Sequence, residues 1–410
     1  MIKRFIHSIR YFVRYFLKGI FCLRNPLNNN IVIFDSKFPG SFYLNHMLHK
    51  QKPLIIATRS EEINKIYISK KIIFFMIKNF FKRSLKQNYL LILIKIINPK
   101  LVLTYTDISQ DFYVISKLLK KNIKFIALQQ ASRQERHFSG NIVKRLFIPE
   151  YYCLSKWDKD YLLKRKAKIE KFFISGSLKV ALAERFFKKK NIKIKKNKYD
   201  ICIIGEAGKI WKPKDLKSKQ YNQSFYSDNK YYTYNFIKKH GFSAGLQAQY
   251  VQKFCKKNNL KFIIIGKHKK NTIERENELF FYEYYLGNKK FRLEPGFPTQ
   301  FKSYKFILQS KLTIGNDTTL LREALALNQK ILHCNLSGNP APNIPIKKNF
   351  SFQKNSFKHF EKKVSEILRM PKKKYFSLLG KNKNYVIADS KNLDLRLIKK
   401  INSVVQSSKC

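Results

Sequence analysis

An α/β architecture of two Rossmann-like domains facing across a cleft is predicted by three features of the chain. Short apolar runs alternate with helical patterns twice over, once in each half. The runs carry no regular polar alternation, as expected for strands buried on both faces of a parallel sheet. A lysine run of little other character, residues 186–200, separates the two successions and reads as a linker.

In the first half, residues 31–34 and 53–57 read as strands, and 63–81 and 89–97 as helices. After Pro99 come a strand at 101–105, a helix at 112–120, and strands at 124–128, 151–154 and 171–175. The second half repeats the rhythm. Strands at 200–204, 261–266, 291–294, 311–315 and 330–334 alternate with helices at 244–257, 272–285, 297–309 and 318–327. Such alternation calls for parallel sheets covered by helices. The expected domains are 25–187 and 200–349, with the linker at 188–199 and a charged helical tail at 350–410.

Residues 1–24 spell a basic amphipathic helix. Ile2, Phe5, Ile6, Ile9, Phe12, Val13, Phe16, Leu17 and Ile20 recur at three and four, with Lys3, His7, Arg10, Arg14 and Lys18 opposite. Such a helix suits an anionic membrane surface, where each Lys or Arg contributes about 1 kcal/mol. An ordinary core-facing first helix has the same periodicity. Its charges interrupt it too often for a signal peptide or a spanning segment.

The 410 residues hold 84 Lys plus Arg against 26 Asp plus Glu, a net charge of +58, yet 44% are hydrophobic. That apolar share excludes a disordered basic tail protein. Compositional drift toward Lys accounts for part of the charge, and an anionic partner for the rest. The lysines spread along the whole chain with no recognisable nucleic-acid module, so nucleic acid is not the expected partner. Six cysteines lack any C-x-x-C pair, so no zinc site or disulfide framework is expected, and a reducing cytoplasm fits.

Ligands in open α/β sheets bind beyond the carboxyl ends of the strands. Strand 200–204 runs into Gly205-Glu206-Ala207-Gly208-Lys209, where glycines allow backbone to approach a phosphate; a plain turn reads the same way. It is neither a phosphate loop of nucleoside-triphosphate hydrolases nor a dinucleotide fingerprint. Strand 261–265 ends in Gly266-Lys267-His268, a cationic cluster that suits a pyrophosphate or a solvated loop. Strand 311–315 ends in Asn316-Asp317-Thr318-Thr319, where a helix start offers backbone donors to an anion. Glu323 follows, placed to reach a ribose hydroxyl or to complement the helix dipole. In the first half, Asp107 at a strand end is a candidate exposed base, or a helix cap. The loop Gln130, Ser132, Arg133 and Glu135 gathers groups suited to sugar hydroxyls and phosphates. Gly40 and Ser41 could frame the same cleft. Asp158-Lys159-Asp160 has the spacing of a cation-holding pair, but Ser155 three residues earlier makes a capping box the favoured reading.

The segment 99–133, PKLVLTYTDISQDFYVISKLLKKNIKFIALQQASR, resembles the N-terminal half of bacterial surface carbohydrate biosynthesis proteins, with their P-x-x-x-x-T-x-x-D…F…Q-x-x-x-R pattern. The segment 312–335, LTIGNDTTLLREALALNQKILHCN, is similar to the same family's S-T-L…E-A-L-A…K pattern. Gln130 and Ala131 replace an asparagine and a glycine, and Asp317-Thr318 a serine-threonine, which leaves the substrate open. The resemblance implies the paired Rossmann folds of B-type glycosyltransferases. More distantly, Gly266–His268 and Asn316–Thr319 are similar in kind to strand ends of the teichoic-acid glycerophosphotransferases, though no proline follows His268.

The expected function is therefore metal-independent transfer of a sugar from a nucleotide-activated donor to a surface polysaccharide or lipid-linked acceptor, on the inner face of the membrane. Polyol-phosphate transfer and a non-catalytic assembly role are the alternatives. Gly205, Gly208, Lys209, Gly266, Lys267, Asp317, Thr318, Thr319 and Glu323 would hold the donor, with His268 against the leaving phosphate. Gly40, Ser41, Gln130, Ser132 and Arg133 would orient the acceptor, with Asp107 or Glu135 taking its proton. No cofactor or metal is expected.

Overall fold

The computed structural model describes residues 9–406 apart from 11, 14–15, 18, 36–39, 59–64, 81–82, 134–145, 211, 213–216, 218–222, 228–229, 235, 297–300, 317 and 340–342. The first half contains β1 (Ile20–Cys22), β2 (Ile31–Asp35), α1 (Gly40–Leu48), β3 (Leu54–Ala57), β4 (Lys65–Tyr67), α2 (Lys70–Lys78), α3 (Leu85–Ile97), β5 (Leu101–Thr104), α4 (Gln110–Leu119), β6 (Lys124–Leu128), β7 (Phe147–Cys153), α5 (Lys156–Lys164), β8 (Lys168–Ile174) and α6 (Leu178–Lys189). Local chemistry sets the helix starts. Ser69, Ser84, Ser109 and Ser155 cap α2, α3, α4 and α5, each accepting a backbone N–H two or three residues into the helix, a device worth about 1 kcal/mol each.

The first sheet runs β3-β2-β5-β6-β7-β8, parallel throughout, with Ile33 opposite Leu103 and Leu103 opposite Ile126. Successive strand residues feed opposite cores, as the pleat requires. Val32, Phe34, Val102 and Phe125 pack toward α3 and α4, while Ile31, Ile33, Leu103 and Leu128 pack toward α1 and α6.

The second half contains β9 (Tyr199–Ile204), β10 (Gln223–Ser227), β11 (Lys230–Tyr234), α7 (Phe236–Lys257), β12 (Phe262–Ile265), α8 (Ile273–Leu286), β13 (Leu293–Glu294), α9 (Lys302–Leu308), β14 (Ser310–Gly315), α10 (Thr319–Ala326), β15 (Ile331–Cys334), β16 (Ser351–Phe352), and then α11 (Phe357–Arg369), α12 (Lys372–Leu379), α13 (Asn382–Val386) and α14 (Leu393–Gln406). Its sheet runs β13-β12-β9-β14-β15-β16, again parallel, with Ile203 between Ile264 and Ile314. β10 and β11 form a separate antiparallel hairpin.

Four expectations need correction. The helix expected over residues 1–24 gives way to a strand at β1, which pairs with β4 inside the helix expected at 63–81. Phe12 and Phe16 pack on Tyr89, so this part of the segment faces the core. The linker is shorter than expected, since α6 runs to Lys189 and Ile192 and Ile194 pack on the first domain. The tail is not separate. α14 returns to the first domain, where Asp394 pairs with Arg185 at 2.7 Å, Lys100 donates to the Val405 carbonyl, and Lys400 pairs with Glu150.

Candidate functional site

In the second sheet the chain starts at β9, steps outward through β12 and β13, then crosses back to β14 on the other side of β9. β9 and β14 are thus neighbours whose onward connections diverge, and the crevice beyond their carboxyl ends is the place such sheets use for ligands. Gly205 ends β9, donating its N–H to the Ile265 carbonyl at 2.7 Å. A Cβ there would stand 2.7 Å from that oxygen and 2.8 Å from the Tyr282 hydroxyl, so the approach requires glycine. Gly208 is different, since a Cβ would meet only Gly241 at 3.6 Å.

The crevice is spanned by three polar side chains. Glu206 Oε2 lies 2.8 Å from His240 Nε2, and His240 Nδ1 lies 3.4 Å from Asn316 Nδ2. An imidazole in the second turn of α7 therefore bridges the loop after β9 to the loop after β14. The Asn316 amide can donate to Nδ1, while Glu206 Oε2, although close to Nε2, receives no hydrogen bond in this geometry, so that contact is one of proximity. Asn316 is 3% exposed and its Oδ1 has no partner. A buried acceptor left so costs about 1–3 kcal/mol unless something supplies a donor.

On the facing side, the ends of β5, β6 and β7 meet at Asp107. It is buried, not exposed as expected for a base. Arg133 Nε donates to Oδ2 at 2.8 Å and Nη2 to Oδ1; the Tyr151 hydroxyl donates at 2.8 Å and the Gln130 N–H at 3.2 Å. Burial pushes the Tyr151 phenol well above its ordinary range, so it remains a donor. Every lone pair of Asp107 is engaged, and its role is to anchor the loop after β6. Arg133, buried in the same pair, is likewise not presented to a phosphate.

The two strand-end surfaces meet through α10. Thr319 Oγ1 accepts the Ser132 N–H at 2.8 Å, and Ser132 Oγ accepts from Arg322 at 2.9 Å. Arg322 also pairs with Asp158 and donates to Ser155 and to the Val386 carbonyl. Ser155 caps α5 as its spacing predicts, and the carboxylate of Asp158 serves this seam. Thr318 caps α10, its Oγ1 accepting from Leu320 at 3.3 Å. Glu323, expected on a ribose, is enclosed. Ser177 donates to it at 2.7 Å, Tyr304 at 2.9 Å, and Lys179 lies at 3.0 Å. These donors tie α10 to α6 and α9 and leave the carboxylate nothing to offer a ligand.

The remaining expected residues are dispersed. Gly266 ends β12, where a Cβ would overlap the buried Arg275–Glu278 pair, so this glycine serves packing. The N–H of exposed Lys267 donates to Glu278 at 2.6 Å, and His268 is half-buried beside it. Lys209 is exposed beyond Gly208. Gly40 begins α1 and Ser41 is half-buried on it. Glu135 and Asp317 lie outside the described residues. The expectations passed over His240 because α7 was expected to begin at 244; Gly241 and the lysines before it hid the first two turns. Its only sequence signal is position, since the helix after the first strand of such a sheet starts at the crevice.

Residues 164–359, just under half of the chain, match the model of a family described as "putative O-antigen biosynthesis protein". The chain resembles the surface-polysaccharide biosynthesis proteins. No curated protein matches the sequence. Among solved structures, a Listeria monocytogenes protein assigned as UDP-N-acetylglucosamine 2-epimerase superposes with TM-score 0.51 at 11% identity, over 92% of this chain and 97% of its own. S. aureus MnaA, in its co-structure with UDP, gives 0.50 at 12%, over 92% and 96%. The wall teichoic acid polymerase TagF gives 0.50 at 9%, over 93% and 90%. At these identities the likeness is one of fold, the two-domain GT-B arrangement of paired Rossmann-like sheets. Among the described residues, no helix is long and apolar enough to cross a membrane.

Proposed function

We propose that the chain is a metal-independent glycosyltransferase, moving a sugar from a nucleotide-activated donor to a surface-polysaccharide or lipid-linked acceptor on the inner face of the cell membrane. The observation that carries this reading is the Glu206–His240–Asn316 bridge across the crevice between β9 and β14. A donor diphosphate would lie against the Gly205–Lys209 loop. His240, positioned between Glu206 and Asn316, would lie beside the charge that builds on the leaving phosphate, with Lys209 and Lys267 adding to the field. The unpaired Asn316 oxygen would accept from a donor hydroxyl. The UDP bound by MnaA, a protein of the same fold, supports a nucleotide here. With Asp107 engaged, the acceptor's proton goes to Glu135, the carboxylate that the sequence supplies on the same loop.

The test is to warm the purified protein with UDP-, dTDP-, GDP-, CMP- and ADP-sugars and CDP-polyols, then analyse the products with acceptor lipids by mass spectrometry. The expected result is that one class of sugar nucleotide raises the melting temperature and its sugar appears on an acceptor. Stabilisation by a CDP-polyol alone would assign polyol-phosphate transfer instead. Conversion of a UDP-sugar without acceptor would assign epimerisation. Stabilisation by none, with tight salt-sensitive oligonucleotide binding, would overturn the reading.

A further inference from the structure

A second site lies on the flank of the first sheet, away from the seam. α2, α3 and the last turn of α4 enclose a cavity of about 530 Å3, lined inside by Phe75, Leu91, Ile96 and Leu119. The exposed cations Lys71, Lys78 and Lys95 also line it, and no ion pair among the described residues involves them. Asn88 stands in its wall. This side chain is 1% exposed, its amide donates to the Asn79 carbonyl at 2.6 Å, and its Oδ1 has no partner.

The cavity opens beside an apolar row on the surface. Ile73, Phe74 and Ile77 share one face of α2, with Phe74 62% and Ile77 71% exposed. β4 leads directly into α2, and β1 pairs with β4, so exposed Ile20, Phe21 and Leu23 come alongside. Cations dominate the surroundings, and Asp111 on α4 is taken up by Lys86 of α3. Residues 1–34 contain no Asp or Glu, and neither do residues 63–106, which contain nine Lys or Arg. Protruding large hydrophobics ringed by unpaired cations match a bilayer of anionic lipid, into which the former insert while the latter meet phosphates. An acidic protein partner would satisfy the lysines but would not call for a basic-lined hydrocarbon cavity behind them.

We propose that this face docks on an anionic bilayer and that the cavity takes the chain of one anionic phospholipid, with its phosphate at Lys71, Lys78 and Lys95 and a headgroup hydroxyl on Asn88. The assignment rests on these side chains and not on the reaction proposed above.

The test is flotation of the full chain with vesicles of phosphatidylcholine alone, or mixed equally with phosphatidylglycerol, at low and high salt. Binding is expected only to the mixed vesicles and should weaken with salt. Phe74→Ser with Ile77→Ser, and Lys71→Ser with Lys78→Ser, should each weaken it about tenfold or more. The charge-matched control, Lys358→Ser with Lys362→Ser on α11, should bind as wild type. Leu118→Trp, which fills the cavity from a half-exposed position, should abolish uptake of a pyrene-labelled phosphatidylglycerol. Melting curves check that each variant folds. Equal binding to phosphatidylcholine, an equal loss in the control, full binding by the Phe74/Ile77 variant, or undiminished uptake by Leu118→Trp would each overturn the proposal.

Discussion

Arg322 in the second domain and Asp158 in the first form an ion pair with both side chains fully buried. Arg322 Nη1 stands 3.2 Å from Asp158 Oδ1, Nη2 donates to Ser155 at 2.9 Å, Nε donates to the Val386 carbonyl at 2.9 Å, and the Trp157 ring lies 5.1 Å from the guanidinium. The fork has a partner for each of its nitrogens. A buried pair completed in this way fixes registry between two bodies more than it adds raw stability. Here it sets the strand ends of one sheet opposite those of the other.

Breaking one half of that pair leaves a buried charge. Arg322→Met should lower unfolding stability by about 3–5 kcal/mol, measured in urea, and Asp158→Leu in the same background should recover much of the loss. Equal stability of Arg322→Met and wild type would mean the domains do not depend on this contact.

Glu323 separates a structural from a ligand-binding carboxylate. Glu323→Gln keeps the shape but loses the charge facing Lys179. The melting temperature should fall while the nucleotide dissociation constant stays that of wild type. An unchanged melting temperature with weakened nucleotide binding would restore the ribose role.

What the sequence disclosed and what it hid follow from range. The strands were legible at 31–34, 124–128, 200–204 and 311–315 because a parallel strand covered on both faces must be apolar throughout. The Ser155 cap was legible because its partner is three residues away. Asp107 and Glu323 were not, since a carboxylate at an element's end reads the same whether it meets solvent or a distant partner. Arg133 lies 26 residues from Asp107, and Ser177 lies 146 from Glu323. The site itself was half visible. The glycine loop and the strand ends stood out, whereas His240 sat in helical turns whose lysines, one of them the buried Lys238, break the expected pattern.

Glu150 gives the pH dependence a sign. Burial alone would raise its carboxyl, but hydrogen bonds and charge from Lys124 and Lys400 outweigh it and hold the group below its ordinary value of 4.5. A carboxyl lowered on folding contributes stability that is present above its unfolded value and is lost as pH falls through the folded one. Melting temperature should therefore drop on acidification below the usual carboxylate range. Glu150→Gln should be less stable at neutral pH and show a shallower acid slope. A parallel slope in both proteins would remove Glu150 from the account. Lys400→Met should mimic the neutral-pH loss, because it detaches α14 from β7.

His240 is predicted to act on the leaving phosphate. His240→Gln should lower kcat about 10²–10³-fold with little change in the donor KM, a loss of the size seen when one preorganised donor is removed. Glu206→Gln should lower kcat less than His240→Gln does, since it acts through the imidazole. A kcat unchanged in His240→Gln would exclude the bridge from the chemistry.

The central claim is that a nucleotide-activated donor occupies the crevice between β9 and β14. Calorimetric titration of the stabilising nucleotide into wild type and Asn316→Leu tests it most directly, with melting curves alongside. The account predicts that Asn316→Leu, which removes a buried unpaired oxygen together with the 3.4 Å amide contact to His240, melts close to wild type yet binds the nucleotide about tenfold or more weakly. Undiminished affinity in a well-folded Asn316→Leu would place the nucleotide elsewhere and contradict the account.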